Sequence, residues 1–270
     1  SDASAAVWLM EAGVTLFSMA AMRNESRNAS AIGVIGATAI GAGETEAIAN
    51  HPYICSINGV RLGFVSLAEQ AAGAFSDRAD ILSLQAIDHV RMLLNQCDHV
   101  IVLVHSGLPN AELPLPEWRA RYRRLVEAGA SVVVDSGAAR GWEAYQSGVI
   151  FYGLGSPAGA DSLGLFLSLQ LNGRFTYEAR ALQNAGALDF SKNDAFRDKI
   201  DAQNALFWDD KAYLSAADEM CLRLYCQGEN AQKRGVMSLF SPHADEEAKL
   251  LSLLENESLR LVTMRAIRKL

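Results

Sequence analysis

The chain of 270 residues is long enough for one large domain, or for one domain with an appendage. Half of its residues are hydrophobic, which provides a sizeable core, and the net charge of −7 argues against a nucleic-acid groove as the main functional surface. No apolar window is long enough to span a membrane, and the first residues lack the basic start of a signal peptide, so we expect a cytoplasmic protein.

The first part of the chain predicts strands joined by tight turns. Residues 14–19 are predicted as a strand. Residues 53–67 are rich in strand formers and contain Asn58 and Gly59, the pair preferred in two-residue type I′ turns, so a β-hairpin is predicted there.

The central part of the chain predicts parallel strands separated by a helix. Two apolar, β-branched runs, at 100–104 and 131–134, flank an amphipathic helix over 116–128, and a third run follows at 149–152. Such runs suit parallel strands that are buried on both faces, and a helix between two of them predicts a right-handed βαβ unit. With a further helix predicted over 83–96, the order indicates a layered α/β domain.

Polar side chains follow two of these strands at their carboxyl ends, the edge where functional groups gather in parallel sheets. His105 and Ser106 follow one strand, and Asp135 and Ser136 follow the next. A histidine at such a strand end is placed for contact with a ligand or a metal. A nucleophilic triad of Ser136, His105 and Asp135 is disfavoured, because no G-x-S-x-G elbow is present.

Charged residues near the same edge add further candidates. Arg140 and Glu143 are placed to bind an anionic or sugar ligand. Arg23 follows the first predicted strand and can fork onto a carboxylate or phosphate, with a surface arginine as the alternative. Glu69 is interpreted as a solvated loop acid, and the arginines of the 116–128 helix are interpreted as a solvated helix face.

A second hairpin and a helical tail complete the chain. Alternating leucines over 163–171, then Asn172-Gly173 and a returning strand over 174–182, predict a hairpin that extends one edge of the sheet. We divide the chain into an α/β domain, 1–183, and a helical region, 184–270, and expect the helical region to pack either on the main domain or on a second subunit. Helices of this region are predicted near 193–207, 211–227, 244–255 and 257–269.

The layout resembles the CapA-type proteins of bacterial capsule and poly-γ-glutamate synthesis, which are relatives of the calcineurin-like metallophosphatases. The resemblance covers roughly residues 5–182 and implies a metallophosphatase-like layered sheet flanked by helices. It rests on His105-Ser106-Gly107, Pro116-Glu117-Trp118, Glu127-Ala128-Gly129-Ala130-Ser131, Phe151-Tyr152-Gly153-Leu154-Gly155-Ser156 and, upstream, on 35–67 with Gly41-Ala42-Gly43.

Several positions where the family carries metal ligands differ in this chain. The strand end that holds paired histidines in the family reads Asp135-Ser136-Gly137, and Arg23 stands where a family histidine is expected. His105 is the one motif histidine that remains, and a two-metal phosphatase site needs several His, Asp and Asn ligands. The resemblance therefore implies a divalent metal, Mn or Zn, with His105 as ligand, only if the site is functional.

The resemblance implies a role in making or exporting a bacterial surface polymer, either capsular polysaccharide or poly-γ-glutamate. We favour a member with a degenerate metal site that binds the polymer, its precursor or a protein partner in a cleft at Arg23, His105, Asp135 and Arg140. One alternative is an active metal-dependent hydrolase or transferase of the metallophosphatase type, with His105 and Asp135 as its catalytic residues. Its missing ligands would come from an N-terminal segment or from the acids Glu25, Glu69, Asp135 or Glu143. Another is a scaffold that docks through residues 190–270.

Overall fold

The computed structural model describes residues 10–11, 13–19, 33, 36–69, 84–155, 162–182, 194–233 and 256–270. Arg23 and the helix predicted at 244–255 lie outside these residues. The strands are β1 (Leu16–Ser18), β2 (Thr38–Ile40), β3 (Tyr53–Ile57), β4 (Val60–Ala68), β5 (His99–His105), β6 (Val132–Asp135), β7 (Trp142–Tyr145), β8 (Gly148–Phe151), β9 (Ser162–Leu169) and β10 (Phe175–Leu182). The helices are α1 (Glu46–Ala49), α2 (Leu84–Leu94), α3 (Pro116–Glu127), α4 (Asp194–Leu206), α5 (Asp210–Lys233) and α6 (Glu257–Lys269).

Six strands form the central sheet, in the order β3-β4-β5-β6-β8-β7. The four inner strands are parallel, and the two outer strands pair antiparallel with their neighbours. The predicted parallel arrangement around helix α3 is therefore confirmed, and so is the layered α/β class. Parallel pairing places the carboxyl ends of β4, β5 and β6 along one edge, which is where the polar candidates lie.

The two outer strands belong to tight hairpins. The hairpin predicted at Asn58-Gly59 joins β3 and β4, and both turn residues have positive φ, 51° and 83°, as a type I′ turn requires. The hairpin of β7 and β8 was not predicted from the sequence. It turns at Gln146, whose φ is also positive at 48°.

Helices α2 and α3 cover one face of the central sheet. Val90 and Leu93 of α2, and Trp118 and Leu125 of α3, are fully or almost fully buried in the main hydrophobic cluster. Helices α5 and α6 belong to the same cluster, to which they contribute Tyr213, Met220, Cys221 and Val262. The described helices of the helical region thus pack on the main domain, which is one of the two alternatives considered, while the boundary at residue 183 stays a prediction.

The hairpin of β9 and β10 covers the opposite face of the sheet. Its strands pair only with each other in the described part of the chain, so the prediction that this hairpin extends a sheet edge is wrong. Leu165, Leu167 and Leu169 pack against the buried sheet residues Ile101 and Phe151. The physical reason is that a parallel sheet must be covered on both faces, and the alternating leucines provide that cover.

None of the helices in the described ranges is both long and apolar enough to cross a membrane.

Candidate functional site

The strand register brings the predicted site residues together. Ala68 pairs with His105, and Val104 pairs with Asp135, so the residues just beyond β4, β5 and β6 are neighbours. The ladder continues one step further, because the backbone N–H of Glu69 donates to the carbonyl of His105 at 2.9 Å. We call this line of strand ends the carboxyl edge.

His105 is exposed at the carboxyl edge and pairs with Ser136. Its Nδ1 lies 2.8 Å from the Ser136 hydroxyl oxygen. If Nδ1 carries the proton and donates it to Ser136, then Nε2 presents a lone pair; if Ser136 donates, then Nε2 presents an N–H. Nε2 has no partner among the described residues, so the pair offers one ring nitrogen and one hydroxyl to a ligand.

Asp135 is turned into the protein, although it is the neighbour of Ser136. It is only 1% exposed, and burial raises the pKa of its carboxyl, against the opposing effects of Arg140, Tyr122 and the backbone N–H of Gly137. The Tyr122 hydroxyl donates to Oδ2 at 2.5 Å, and the Gly137 N–H donates to Oδ1 at 2.7 Å. Both oxygens of the Asp135 carboxylate are therefore engaged by internal donors.

Ser106 belongs to the same buried cluster. Its hydroxyl lies 2.5 Å from that of Tyr122 and 3.3 Å from the Asp135 carboxylate. Of the two predicted serines, only Ser136 is exposed. Tyr122 was not predicted as part of the site, but Trp118, Tyr122 and Leu125 share one face of α3 at helical spacing, which could have indicated that its hydroxyl faces the strand ends.

Arg140 is buried and holds the loop that follows β5. Its guanidinium donates to the backbone carbonyls of Ala111 at 2.9 Å, Leu108 at 2.8 Å and Tyr152 at 3.2 Å, and it lies 3.9 Å from the Asp135 carboxylate. In this position Arg140 supplies hydrogen-bond donors to three carbonyl groups that would otherwise be buried without them. Its predicted role as a ligand-binding residue stays a prediction.

Glu69 joins the carboxyl edge to the start of helix α6. The backbone N–H and the hydroxyl of Ser258 donate to its carboxylate at 2.5 Å and 2.6 Å, and the Gly107 N–H donates at 2.9 Å. The Trp118 indole N–H donates in turn to the Ser258 hydroxyl at 2.8 Å. The interpretation of Glu69 as a solvated loop acid is therefore wrong: its charge is stabilised by donors at a helix N-terminus.

Glu143 lies in strand β7 and faces helix α3. Its carboxylate accepts hydrogen bonds from Arg119, Arg123 and the Tyr152 hydroxyl. Burial acts to raise its pKa, but the hydrogen bonds from Arg123 and Arg119 outweigh burial, and the pKa is lowered. Arg119 is only 4% exposed, so the interpretation of the α3 arginines as a solvated face is wrong for this residue.

The described residues of the carboxyl edge do not by themselves form a two-metal centre. No three His, Cys, Asp or Glu side chains converge into a metal-holding group within the described ranges. Asp135 and Glu69 use both carboxylate oxygens for internal hydrogen bonds, which leaves His105 as the available ligand among the described residues of this edge.

Residues 26–158 match the model of the family described as bacterial capsule synthesis protein PGA_cap. Over 129 residues the chain is 28% identical to the capsule biosynthesis protein CapA of Bacillus anthracis. The aligned part covers 43% of this chain and 31% of that protein. The match thus spans less than a third of the length of that relative.

Solved structures give weaker likenesses. A putative 5′-nucleotidase from Staphylococcus aureus has a TM-score of 0.49 at 10% identity, over 75% of this chain and 44% of that chain. A hypothetical protein from Thermus thermophilus has a TM-score of 0.42 at 13% identity, over 65% and 79%. A phosphatase from Mycoplasma pneumoniae has a TM-score of 0.35 at 10% identity, over 51% and 59%. At these values the likenesses carry no weight for the chemistry of this chain.

The matched region runs from 26 to 158 and therefore contains the whole central sheet, helices α2 and α3, and the carboxyl edge with His105. The family whose model matches this region, the bacterial capsule synthesis protein PGA_cap, is the one that the CapA-type resemblance predicted.

Proposed function

We propose that the chain acts in the synthesis or export of a bacterial surface polymer by binding the polymer or its precursor at the carboxyl edge. The family match supports the polymer. One observation supports binding rather than cleavage: the His105–Ser136 pair is exposed, while the neighbouring carboxylates Asp135 and Glu69 are engaged internally. In the part of the edge that the structure describes, hydrogen-bonding groups are thus presented without a free acid beside them.

The exposed pair suits a neutral polar group of the ligand. A hydroxyl or amide group of the ligand both donates and accepts hydrogen bonds. Nε2 of His105 can meet either need, because it accepts in one tautomer of the imidazole and donates in the other, and the Ser136 hydroxyl changes its own role accordingly. The positions of Asp135 and Arg140 behind the pair are fixed by internal hydrogen bonds, so the edge is rigid before ligand arrives. A preformed site loses less conformational entropy on binding.

Metal content and polymer binding, measured on the same chain, test this proposal. We expect no stoichiometric metal after incubation with manganese and zinc and removal of the excess. We also expect a capsular oligosaccharide or a γ-linked glutamate oligomer to bind the chain, and binding to weaken in His105→Ala. The control variant is His51→Ala, because His51 is also exposed but precedes strand β3, which is not one of the strands whose ends carry His105 and Ser136.

One outcome would contradict the proposal and favour the alternative of a metal-dependent hydrolase. It is near-stoichiometric metal that is lost in His105→Ala and kept in His51→Ala. One observation favours that alternative. If Nδ1 of His105 donates its proton to the Ser136 hydroxyl, then Nε2 keeps a lone pair that can ligate a metal. Phosphoesters and γ-glutamyl amides would then be the substrates to screen.

A scaffold role is a third candidate, favoured by the outer face of helix α6. Met264, Ile267 and Leu270 are exposed there at a spacing of three residues, which places them side by side. Ile267→Lys would be expected to abolish capture of a protein partner through this face. Unchanged capture in that variant would exclude this face of α6 as the docking surface.

A further inference from the structure

A concave surface lies away from the carboxyl edge, between helix α3, strand β7 and the link from α4 to α5. It has two adjoining parts, of about 360 Å³ and about 290 Å³, which share Arg123, Tyr145 and Asp210. Each part is near the lower end of the range of about 300–1,000 Å³ found for small-molecule sites. We call it the aromatic–arginine cleft, and the residues that characterise it are Arg123, Arg124, Glu127, Tyr145, Trp208 and Asp210.

The floor of the aromatic–arginine cleft is held rigidly. Arg123 donates two hydrogen bonds to Glu143, at 2.9 Å and 2.8 Å, and its guanidinium lies over the Tyr145 ring at 4.6 Å from the centroid. Arg119 lies beneath, bound to the same carboxylate and 4.3 Å from the centroid of the Tyr213 ring. A floor fixed by so many contacts needs no reordering when a ligand binds.

The rim of the cleft carries groups that the fold does not use fully. The Trp208 side chain is 83% exposed, although tryptophan is among the residues most concentrated in binding surfaces. Arg124 is exposed and has no partner in the described part of the chain. One carboxylate oxygen of Asp210 accepts a hydrogen bond from Arg119 at 2.8 Å, but the Asp210 side chain remains 70% exposed.

The charges of the cleft give no net attraction to an anionic polymer. Three arginines, at 119, 123 and 124, are balanced by three acids, Glu127, Glu143 and Asp210, so the surface carries no net formal charge. At the rim, the Arg124 guanidinium offers donors and the exposed Asp210 carboxylate offers an acceptor, which suits hydroxyl groups that both donate and accept. The exposed indole face of Trp208 suits the apolar C–H face of a sugar ring, because a tryptophan side chain is apolar apart from its N–H.

We propose that the aromatic–arginine cleft binds a neutral saccharide, with Trp208 as its stacking face and Arg124 and Asp210 as its polar contacts. The inference does not rest on ligand binding at the carboxyl edge, because its residues belong to a different set of elements. It adds a second ligand site and a preference for neutral sugar over a carboxylated chain.

Indole N–H signals in a nuclear magnetic resonance titration of the whole chain test the inference. The chain has four tryptophans, and Trp208→Phe identifies the signal of Trp208. The neutral probes are tetrasaccharides of glucose, galactose and N-acetylglucosamine, and the anionic probe is a γ-linked hexaglutamate. We expect a neutral probe to shift the Trp208 signal, and its affinity to fall about tenfold or more in Trp208→Ala.

Matched variants separate the cleft from other surfaces. Arg124→Ala is expected to weaken saccharide binding, while Arg91→Ala, an exposed arginine on helix α2, leaves it unchanged. Binding is also expected to vary little with salt, since the ligand is neutral. Three results would overturn the inference: no shift with any neutral probe, binding of hexaglutamate alone, or loss of binding in His105→Ala with full binding in Trp208→Ala. The last result would instead support the carboxyl edge as the site.

Discussion

Replacing the Glu143 carboxylate with an amide, Glu143→Gln, is expected to destabilise the fold strongly. The carboxylate accepts from Arg119 Nη2 at 2.9 Å and from Arg123 Nη2 at 2.8 Å through one oxygen, Oε2, and from Tyr152 through the other. The amide group would turn one acceptor into a donor that faces arginine donors. Breaking a buried ion pair on one side costs about 3–5 kcal/mol, because the remaining charge is left in a site of low polarity.

Thermal unfolding followed by circular dichroism measures the effect. With about 2–4 °C per kcal/mol for chains of this size class, the expected loss corresponds to a fall of roughly 6–20 °C in Tm. The matched control is Glu178→Gln, which removes the charge from the exposed Glu178–Arg180 pair and should leave Tm unchanged. If Glu143→Gln behaved like this control, then the buried arginine would not depend on the Glu143 charge, and the reasoning would be refuted.

The same substitution should change the dependence of stability on pH. The pKa of Glu143 is lowered in the folded chain, so its carboxylate contributes stability that is complete above the unfolded pKa, about 4.3. That contribution is lost as the pH falls through the folded pKa. The difference in unfolding free energy between the natural chain and Glu143→Gln should therefore be largest near neutral pH and should narrow below about pH 4.3. A difference that stayed constant down to strongly acidic pH would assign the loss to packing rather than charge.

Three further outcomes follow from buried groups. Ser258→Ala should lower the unfolding free energy by about 2–3 kcal/mol, measured with urea, because Trp118 and Glu69 each lose a hydrogen-bond partner; a change within error would contradict the contacts described. Asp135 has a raised pKa, so its ionisation costs stability as the pH rises above about 4, and Asp135→Asn should flatten that part of the stability profile; an unchanged slope would show that Asp135 ionises freely in the fold. Burial raises the pKa of the Cys221 thiol to about 12, so iodoacetamide should leave it unmodified in the folded chain, as mass spectrometry can check, and labelling before unfolding would disprove its burial.

The parts of the fold that the sequence predicts are those with strong local signals. Val-rich runs predict β5 and β6, and Asn58-Gly59 predicts the first hairpin, because periodicity and turn chemistry act over a few residues. Strand β7 is missed since its four residues include Glu143, a charged residue of a type that strands normally exclude. Glu143 is tolerated in this strand because its carboxylate accepts hydrogen bonds from two arginines of α3, which are 20 and 24 residues away in sequence.

The candidate site divides in the same way. Parallel strand ends place His105 and Ser136 together, and that proximity could be predicted from topology alone. The sequence could not show that Asp135 points inward while Ser136 points outward, although neighbouring residues of a strand end do alternate. The sequence also could not show the aromatic–arginine cleft, because Trp208 and Tyr145 line the same surface only after the helical region has packed against β7.

The contact between Glu69 and Ser258 has a consequence for folding during synthesis. The two residues are 189 positions apart, yet the second supplies donors that the first requires. At a synthesis rate of about 5–20 residues per second, Glu69 is made roughly 10–40 s before Ser258. During that interval the nascent chain carries a carboxyl edge whose Glu69 lacks its final partner, so this edge must be finished after the sheet has begun to form.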